Sequence, residues 1–231
     1  MARQARIVVP DTPHHITQRG NRRAPIFFEA GDQEVYRSLL AREARRREVE
    51  VWAYCLMPNH VHLILTPHTA DGLSLALGEA HRRYTSFINA RSGWSGHLFQ
   101  SRFASVALDE THVMAAARYI VLNPVRARLV ARPEAWPWSS VRAHLAGADD
   151  ALVKVAPLLA RTDRFADLLA DESEADVETF RALRAGEMTG RPAGAADFIA
   201  DLERRLGRVL TPRKRGRKPK PKPDEAQDPL S

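Results

Sequence analysis

His60-Val61-His62 lies inside the run Tyr54-Cys55-Leu56-Met57-Pro58-Asn59-His60-Val61-His62-Leu63-Ile64-Leu65, two apolar strand-like segments broken at Met57-Pro58-Asn59. Side chains at i and i+2 of a strand leave the same face. The spacing therefore predicts two imidazoles side by side, with Val61 anchored in the core between them. Such a pair is half of a metal site and leaves the ion open to a substrate. The second stretch with chemistry is Arg118-Tyr119-Ile120-Val121-Leu122-Asn123-Pro124-Val125-Arg126. On a helix, Tyr119 and Asn123 are four apart and share a face. A tyrosine and an amide presented to an ion on two histidines point to metal-assisted phosphodiester transfer with a covalent tyrosine nucleophile. A free phenol titrates near ~10, so it needs a metal or cationic neighbours to attack at neutral pH. The covalent link preserves the phosphodiester's energy for rejoining, which hydrolysis would discard.

The elements that must carry these residues follow from periodicity. Pro13 to Arg19 alternates weakly and stops at Gly20-Asn21, which reads as a strand and a turn. Asp32 to Arg47 has a helical stripe of Val35, Leu39, Leu40 and Ala44. Val49 to Leu56 and His60 to Thr66 are strands, and Phe103 to Leu108 is a further short β-rich run. Asp71 to Asn89 is helical, with Leu73, Leu77, Tyr84 and Ile88 facing inward and Asp71 as N-cap. Glu110 to Leu122 is an alanine-rich helix that Asn123-Pro124 interrupts or ends. Strand, helix, strand, strand, helix, strand is a pair of interleaved β-α-β units. The expected fold is α+β: a ferredoxin-like antiparallel sheet with helices on one face, plus a C-terminal helical extension. Trp136-Pro137-Trp138-Ser139-Ser140 reads as an aromatic anchor before a helix, and 151–209 carries helical stripes such as Phe198, Leu202 and Leu206 without recognisable chemistry.

The 231 residues suit one domain with an appendage, and 44% hydrophobic content is enough for a core. No uncharged apolar run is long enough for a membrane span, and the N-terminus lacks the apolar region of a signal peptide. Cys55 is the only cysteine, so a reducing cytoplasm is expected. The net charge of +7 is uneven: +5 over residues 1–150, −2 over 151–212 and +4 over 213–231. Basic ends around an acidic middle suit a nucleic-acid binder. An arginine-rich solvated surface accounts for the same charge, so charge alone decides nothing.

The His-hydrophobic-His pair, its Met57-Pro58-Asn59 lead-in and Tyr119-Ile120-x-x-Asn123-Pro124 resemble the single-tyrosine transposases of the HUH endonuclease superfamily. Pro13-His14-His15-Ile16-Thr17-Gln18-Arg19-Gly20-Asn21-Arg22-Arg23 and Ile26-Phe27-Phe28 narrow the resemblance to REP-associated tyrosine transposases, over about residues 10–145. The resemblance implies a ferredoxin-like nuclease that binds a DNA hairpin, cuts adjacent single-stranded DNA and leaves a 5′-phosphotyrosine. It implies Tyr119 as nucleophile, His60 and His62 as metal ligands, and Asn123 as the third, where many relatives carry Gln. The ion would be Mg²⁺, with Mn²⁺ also suited to imidazole. The implied partner is single-stranded DNA with a hairpin, bound by a monomer or homodimer in the cytoplasm at the nucleoid. The expected domains are 1–130 (catalytic), 131–212 (helical extension) and 213–231, a basic tail whose prolines and scarcity of apolar residues predict disorder.

Each motif also has an ordinary reading. Two histidines on a strand are commonly solvated polar residues, and a lone helical tyrosine commonly packs in a core, as expected for Tyr36 and Tyr84. Tyr119 and Asn123 meeting the histidines favour the metal reading. His14 and His15 face opposite ways, so at most one reaches the metal face, and neither is given a catalytic role. Arg19, Asn21, Arg22 and Arg23 form a candidate DNA contact after the first strand, with Arg102 and Arg118 as further phosphate contacts. Arg213, Lys214, Arg215, Arg217 and Lys218 form a loose AT-hook-like strip, either lying in a minor groove or anchoring non-specifically.

Overall fold

The computed structural model describes residues 6–170 and 174–211, excluding the side chains of 174–178 and Ala182. Strand β1 (His14–Arg19) leads into α1 (Asp32–Arg46), then β2 (Val49–Met57) and β3 (His60–Pro67). Helix α2 (Gly72–Ser92), strand β4 (Ala104–Ala107) and helix α3 (Glu110–Arg126) follow. The sheet order is β2-β3-β1-β4, with every pair antiparallel. That is the ferredoxin-like arrangement expected from the element order.

Period-two alternation divides the side chains between two faces. Ile16, Tyr54, Leu56, Val61, Leu63 and Leu65 pack under α1 and α2, whose Tyr36, Leu40, Leu73, Leu77, Tyr84 and Ile88 are fully buried. Val61 thus anchors the strand between the histidines, and Tyr36 and Tyr84 pack. The opposite face carries His15, Thr17, His60, His62, Cys55 and Met57, because β1 and β2 align Thr17 with His62 and Cys55 with His62 on either side of β3. A bulge between Val51 and Ala53 re-aims β2, so Trp52 and Ala53 also join that side. The crossover helices share one face; α3 covers the other through Val113, Ala116, Ala117, Ile120 and Val121.

Two helix ends differ from expectation. Asp71 stands at the N-cap of α2 but its side chain caps nothing; its carbonyl accepts from Ser74 Oγ and Leu75 N. Pro124 does not stop α3, which runs on to Arg126. The missing N–H costs one bond near the C-terminus, where the next amides still find carbonyls: Ala127 N donates to Asn123 O at 2.9 Å. The N-terminus of α3 is capped by Asp109, which accepts from His112 N at 2.8 Å.

Beyond α3 come α4 (Val141–Ala146), α5 (Ala156–Leu159), α6 (Glu174–Thr189) and α7 (Ala196–Leu206). Val141, Leu158, Phe165, Phe180 and Leu183 join the same cluster as α3, so this part of the extension shares the core of the sheet. Helix α7 closes a smaller cluster, placing Leu202 on Ile7, Val9 and Ala107. Both sheet edges carry irregular chain. Along β2, Leu56 N donates to Trp138 O at 2.8 Å and Ser140 N to Tyr54 O at 3.0 Å. Beyond β4, Ala193 N donates to Ala107 O at 2.8 Å. Residues 213–231, with the candidate contacts Arg213, Lys214, Arg215, Arg217 and Lys218, lie outside the described residues.

Candidate active site

The face opposite α1 and α2 gathers the titratable groups. The donors packed most closely are His15, His62 and Glu187 of α6, whose ligand-capable atoms lie within 4.8 Å of one another. This differs from the expected set of His60, His62 and Asn123, of which only His62 is present. His15, for which the sequence offers no role, is the one of the adjacent pair that reaches the face of His62. His14 points the other way and is structural: Val9 N donates to its Nε2 at 3.2 Å, and its Nδ1 donates to Thr12 O at 2.7 Å. Glu187 comes from a segment that carried no recognisable chemistry.

Proton accounting separates the roles. Thr17 Oγ1 donates to Glu187 Oε1 at 2.9 Å, which spends its hydrogen. It can then only accept from His62 Nδ1, 3.1 Å away, so that nitrogen carries a proton. The same proton faces His15 Nε2 at 3.1 Å, which accepts. His15 is left protonated on Nδ1, a buried atom without a hydrogen-bond partner among the described residues, 3.9 Å from Glu187 Oε1. His62 therefore keeps its lone pair on Nε2. His60 does likewise, because its Nδ1 donates to Asn59 Oδ1 at 2.6 Å. The two rings stand nearly perpendicular, 4.8 Å between centroids. Two imidazoles with Nε2 unprotonated and Nδ1 held by oxygen are a donor pair suited to a divalent ion.

Burial keeps these rings neutral. It pushes His15 down to about 4, and it does the same to His60, helped by the Arg19 charge. His62 is held well below the usual value by burial first, then by repulsion from His15, His60, Arg19 and Arg184. Burial raises the Glu187 carboxyl, against the opposing pull of Thr17, Arg19 and Arg184.

Tyr119 meets this cluster edge-on. Its ring lies 5.3 Å from that of His62 and 5.9 Å from that of His15, both near perpendicular. Phe180 packs beside it at 5.2 Å, and Arg184 Nε donates to its hydroxyl at 3.2 Å. The guanidiniums of Arg126 and Arg184 sit 5.9 and 5.6 Å from the ring centre. The phenol is 4% exposed. Asn123, one turn further along α3, is also buried, and among the described residues its amide makes no hydrogen bond to either histidine.

The candidate DNA contacts divide. Asn21, Arg22 and Arg23 form an exposed 3-10 turn, and Arg22 and Arg23 both have positive φ, which throws the turn outward. Arg19 is half-buried beside His60, its partner in the β1–β3 register. Arg102 is exposed and lines two cavities, of about 480 and 350 Å³. The smaller reaches Glu187. Arg118, expected to contact phosphate, is instead buried and donates to Leu168 O at 2.6 Å and Ala170 O at 2.8 Å, so it pins the extension. Cys55 is buried on the histidine face, where burial pushes its thiol up and away from metal-binding thiolate chemistry.

A family model described as transposase IS200 like matches residues 9–123. A REP-associated tyrosine transposase of Escherichia coli (strain K12) is 24% identical over 127 residues, 54% of this chain and 73% of that protein. The solved structure of a REP-associated tyrosine transposase bound to a REP hairpin is similar at a TM-score of 0.55 and 22% identity, covering 67% of this chain and 93% of that one. The matched segment begins just before β1, ends at Asn123 and contains the sheet, both crossover helices, His60, His62 and Tyr119. Through residues 9–123, the chain belongs to the family of IS200-like transposases.

Proposed function

We propose that this chain is a metal-dependent single-stranded DNA endonuclease and strand transferase. It binds hairpins of repetitive elements and cuts nearby through a 5′-phosphotyrosine on Tyr119. The observation that carries the reading is the edge-on approach of the Tyr119 ring to His62 across two neutral, Nε2-presenting imidazoles. The hairpin enters from the relative whose structure holds one.

His60 and His62 would hold the ion through Nε2, with Asn123 as the amide ligand the resemblance implies. A divalent ion, Mg²⁺ or Mn²⁺, supplies charge neutralisation at the scissile phosphate. Tyr119 Oη attacks phosphorus, the P–O3′ bond breaks, and the phenol proton is delivered overall to the departing 3′ oxygen. One strand end is then esterified to Tyr119 and the other is a free 3′-hydroxyl, which can reverse the step on a new end. Arg184, donating to Oη, favours the developing phenolate. The exposed Asn21-Arg22-Arg23 turn and Arg102 would hold phosphates near the hairpin base. Residues 1–130 would form the catalytic domain, 131–212 its helical extension and 213–231 a basic tail.

Incubating the protein with single-stranded hairpin DNA and Mn²⁺ tests this. A covalent protein–DNA adduct that resists boiling in detergent is expected. Tyr119→Phe should abolish it and leave hairpin binding within about twofold. No adduct from the wild type, with hairpin binding retained, would favour a second reading: a domesticated hairpin-binding protein that does not cut. The retained His60, His62 and Tyr119 constellation disfavours that reading, because binding alone requires none of them.

A further inference from the structure

Helix α6 lies outside the family-matched segment, yet three of its side chains converge on the site. Phe180, Arg184 and Glu187 stand at i, i+4 and i+7, one face of a helix. Phe180 packs on the Tyr119 ring at 5.2 Å and Arg184 Nε donates to the Tyr119 hydroxyl at 3.2 Å. Glu187 accepts from Thr17, the residue that takes the His62 Nδ1 proton. A helix serving only to cover apolar surface would put aliphatic residues at 184 and 187. Here one cation meets the phenol oxygen and one carboxylate meets the hydroxyl that orients the ring.

We propose that α6 is a working part of the active site: Glu187, acting through Thr17, is a positioning residue that fixes the tautomer of His62 and leaves Nε2 free for an ion, and Arg184 holds the reacting Tyr119 hydroxyl directly. The Glu187-Thr17-His62 series is a carboxylate-to-imidazole relay with one hydroxyl inserted, and such outer partners tune metal affinity about 10–100-fold. Glu187 contributes an acceptor; its charge is secondary. The proposal rests on the strand-transfer reading above.

The full chain is titrated with Mn²⁺ and free ion is read by electron paramagnetic resonance, without DNA. Glu187→Leu should weaken Mn²⁺ binding about tenfold or more, whereas Glu187→Gln, which keeps an acceptor for Thr17, should stay within about threefold of wild type. Thr17→Val breaks the same relay from β1, with the sequence of α6 unaltered, and should match Glu187→Leu. Nitrogen-15 shifts of His62 should report the Nδ1-protonated form in wild type and a tautomer mixture in Thr17→Val. Unchanged affinity in Glu187→Leu overturns the relay; an equal loss in Glu187→Gln overturns it too, because it would make Glu187 a direct ligand.

For Arg184, Arg184→Ala should slow adduct formation about a hundredfold with hairpin affinity unchanged, and added guanidinium should restore part of the rate. Faster adduct formation in Arg184→Ala or Glu187→Leu overturns the proposal, since α6 would then be an obstruction. If the wild type itself forms no adduct, the strand-transfer reading fails. If it does and the variants equal it, only the role of α6 fails.

Discussion

At the scale of single residues, alternation along β3 puts His60 and His62 on one face of the sheet, and helical periodicity puts Tyr119 on the helix that covers it, where its ring meets that of His62. His15 was not legible for a specific reason. Of two adjacent histidines one must share the face of His62, but which one depends on the β1–β3 register that aligns Thr17 with His62. Glu187 was hidden because its partner Thr17 lies 170 residues away in sequence. Arg118 is the opposite case: an arginine beside Tyr119 reads as a phosphate contact, whereas its guanidinium is held by two carbonyls.

Buried imidazoles also set a pH response. Burial lowers His14 to about 4 against the weaker pull of Thr12, and lowers His81, bonded to Tyr36, to about 3. In the unfolded chain both titrate near the ordinary value of 6.5. Below that value the unfolded state binds protons that the folded state refuses. Their stability contribution is therefore complete above pH ~6.5 and is lost as pH falls, toward about 4 for His14 and about 3 for His81. Metal-free protein should lose Tm progressively across that window by scanning calorimetry. A flat Tm between pH 7 and pH 5 would contradict the burial of neutral rings.

At the scale of elements, the sheet and its two crossover helices followed from alternation and stripes because those patterns repeat within each segment, although the pairings they serve span the chain. The expected end of α3 did not, because a proline in a last turn gives up a single bond. The extension was the least legible element, since its amphipathic stripes announce burial without saying against what. Asp109 is the hinge-pin between the two parts: Oδ1 caps α3 at His112 N, and Oδ2 accepts from Ala195 N at 2.8 Å just before α7. Asp109→Ala should cost about 1–2 kcal/mol in urea unfolding, the usual range for a lost N-cap with a second bond. Gly186 governs the approach of α6 to β4: a Cβ there would sit 3.2 Å from a Val106 methyl. Gly186→Leu should therefore lift α6, raise proteolytic sensitivity within 174–189 and weaken Mn²⁺ binding together. Sensitivity that rises without a change in ion affinity would separate the helix from the site.

At the scale of the whole molecule, charge asymmetry is the feature that sequence alone conveyed best. The terminal segment 213–231 carries +4, against −2 for 151–212. Truncation after Thr211 is expected to lower hairpin affinity and flatten its salt dependence. Counterion release scales with the number of phosphates neutralised, at about 0.7–0.9 of log–log slope for each. Affinity measured between low and moderate salt decides it, and an unchanged slope would remove the tail from the DNA interface.

The irregular chain along both flanks of the sheet bears on assembly. Trp138 and Ser140 occupy backbone groups on the outer side of β2, while Ala193 occupies one beyond β4. With those hydrogen-bonding rows blunted, two copies cannot readily merge their sheets into one continuous ribbon. Self-association would have to proceed through helix surfaces or loops, which leaves the histidine-bearing layer of each copy intact.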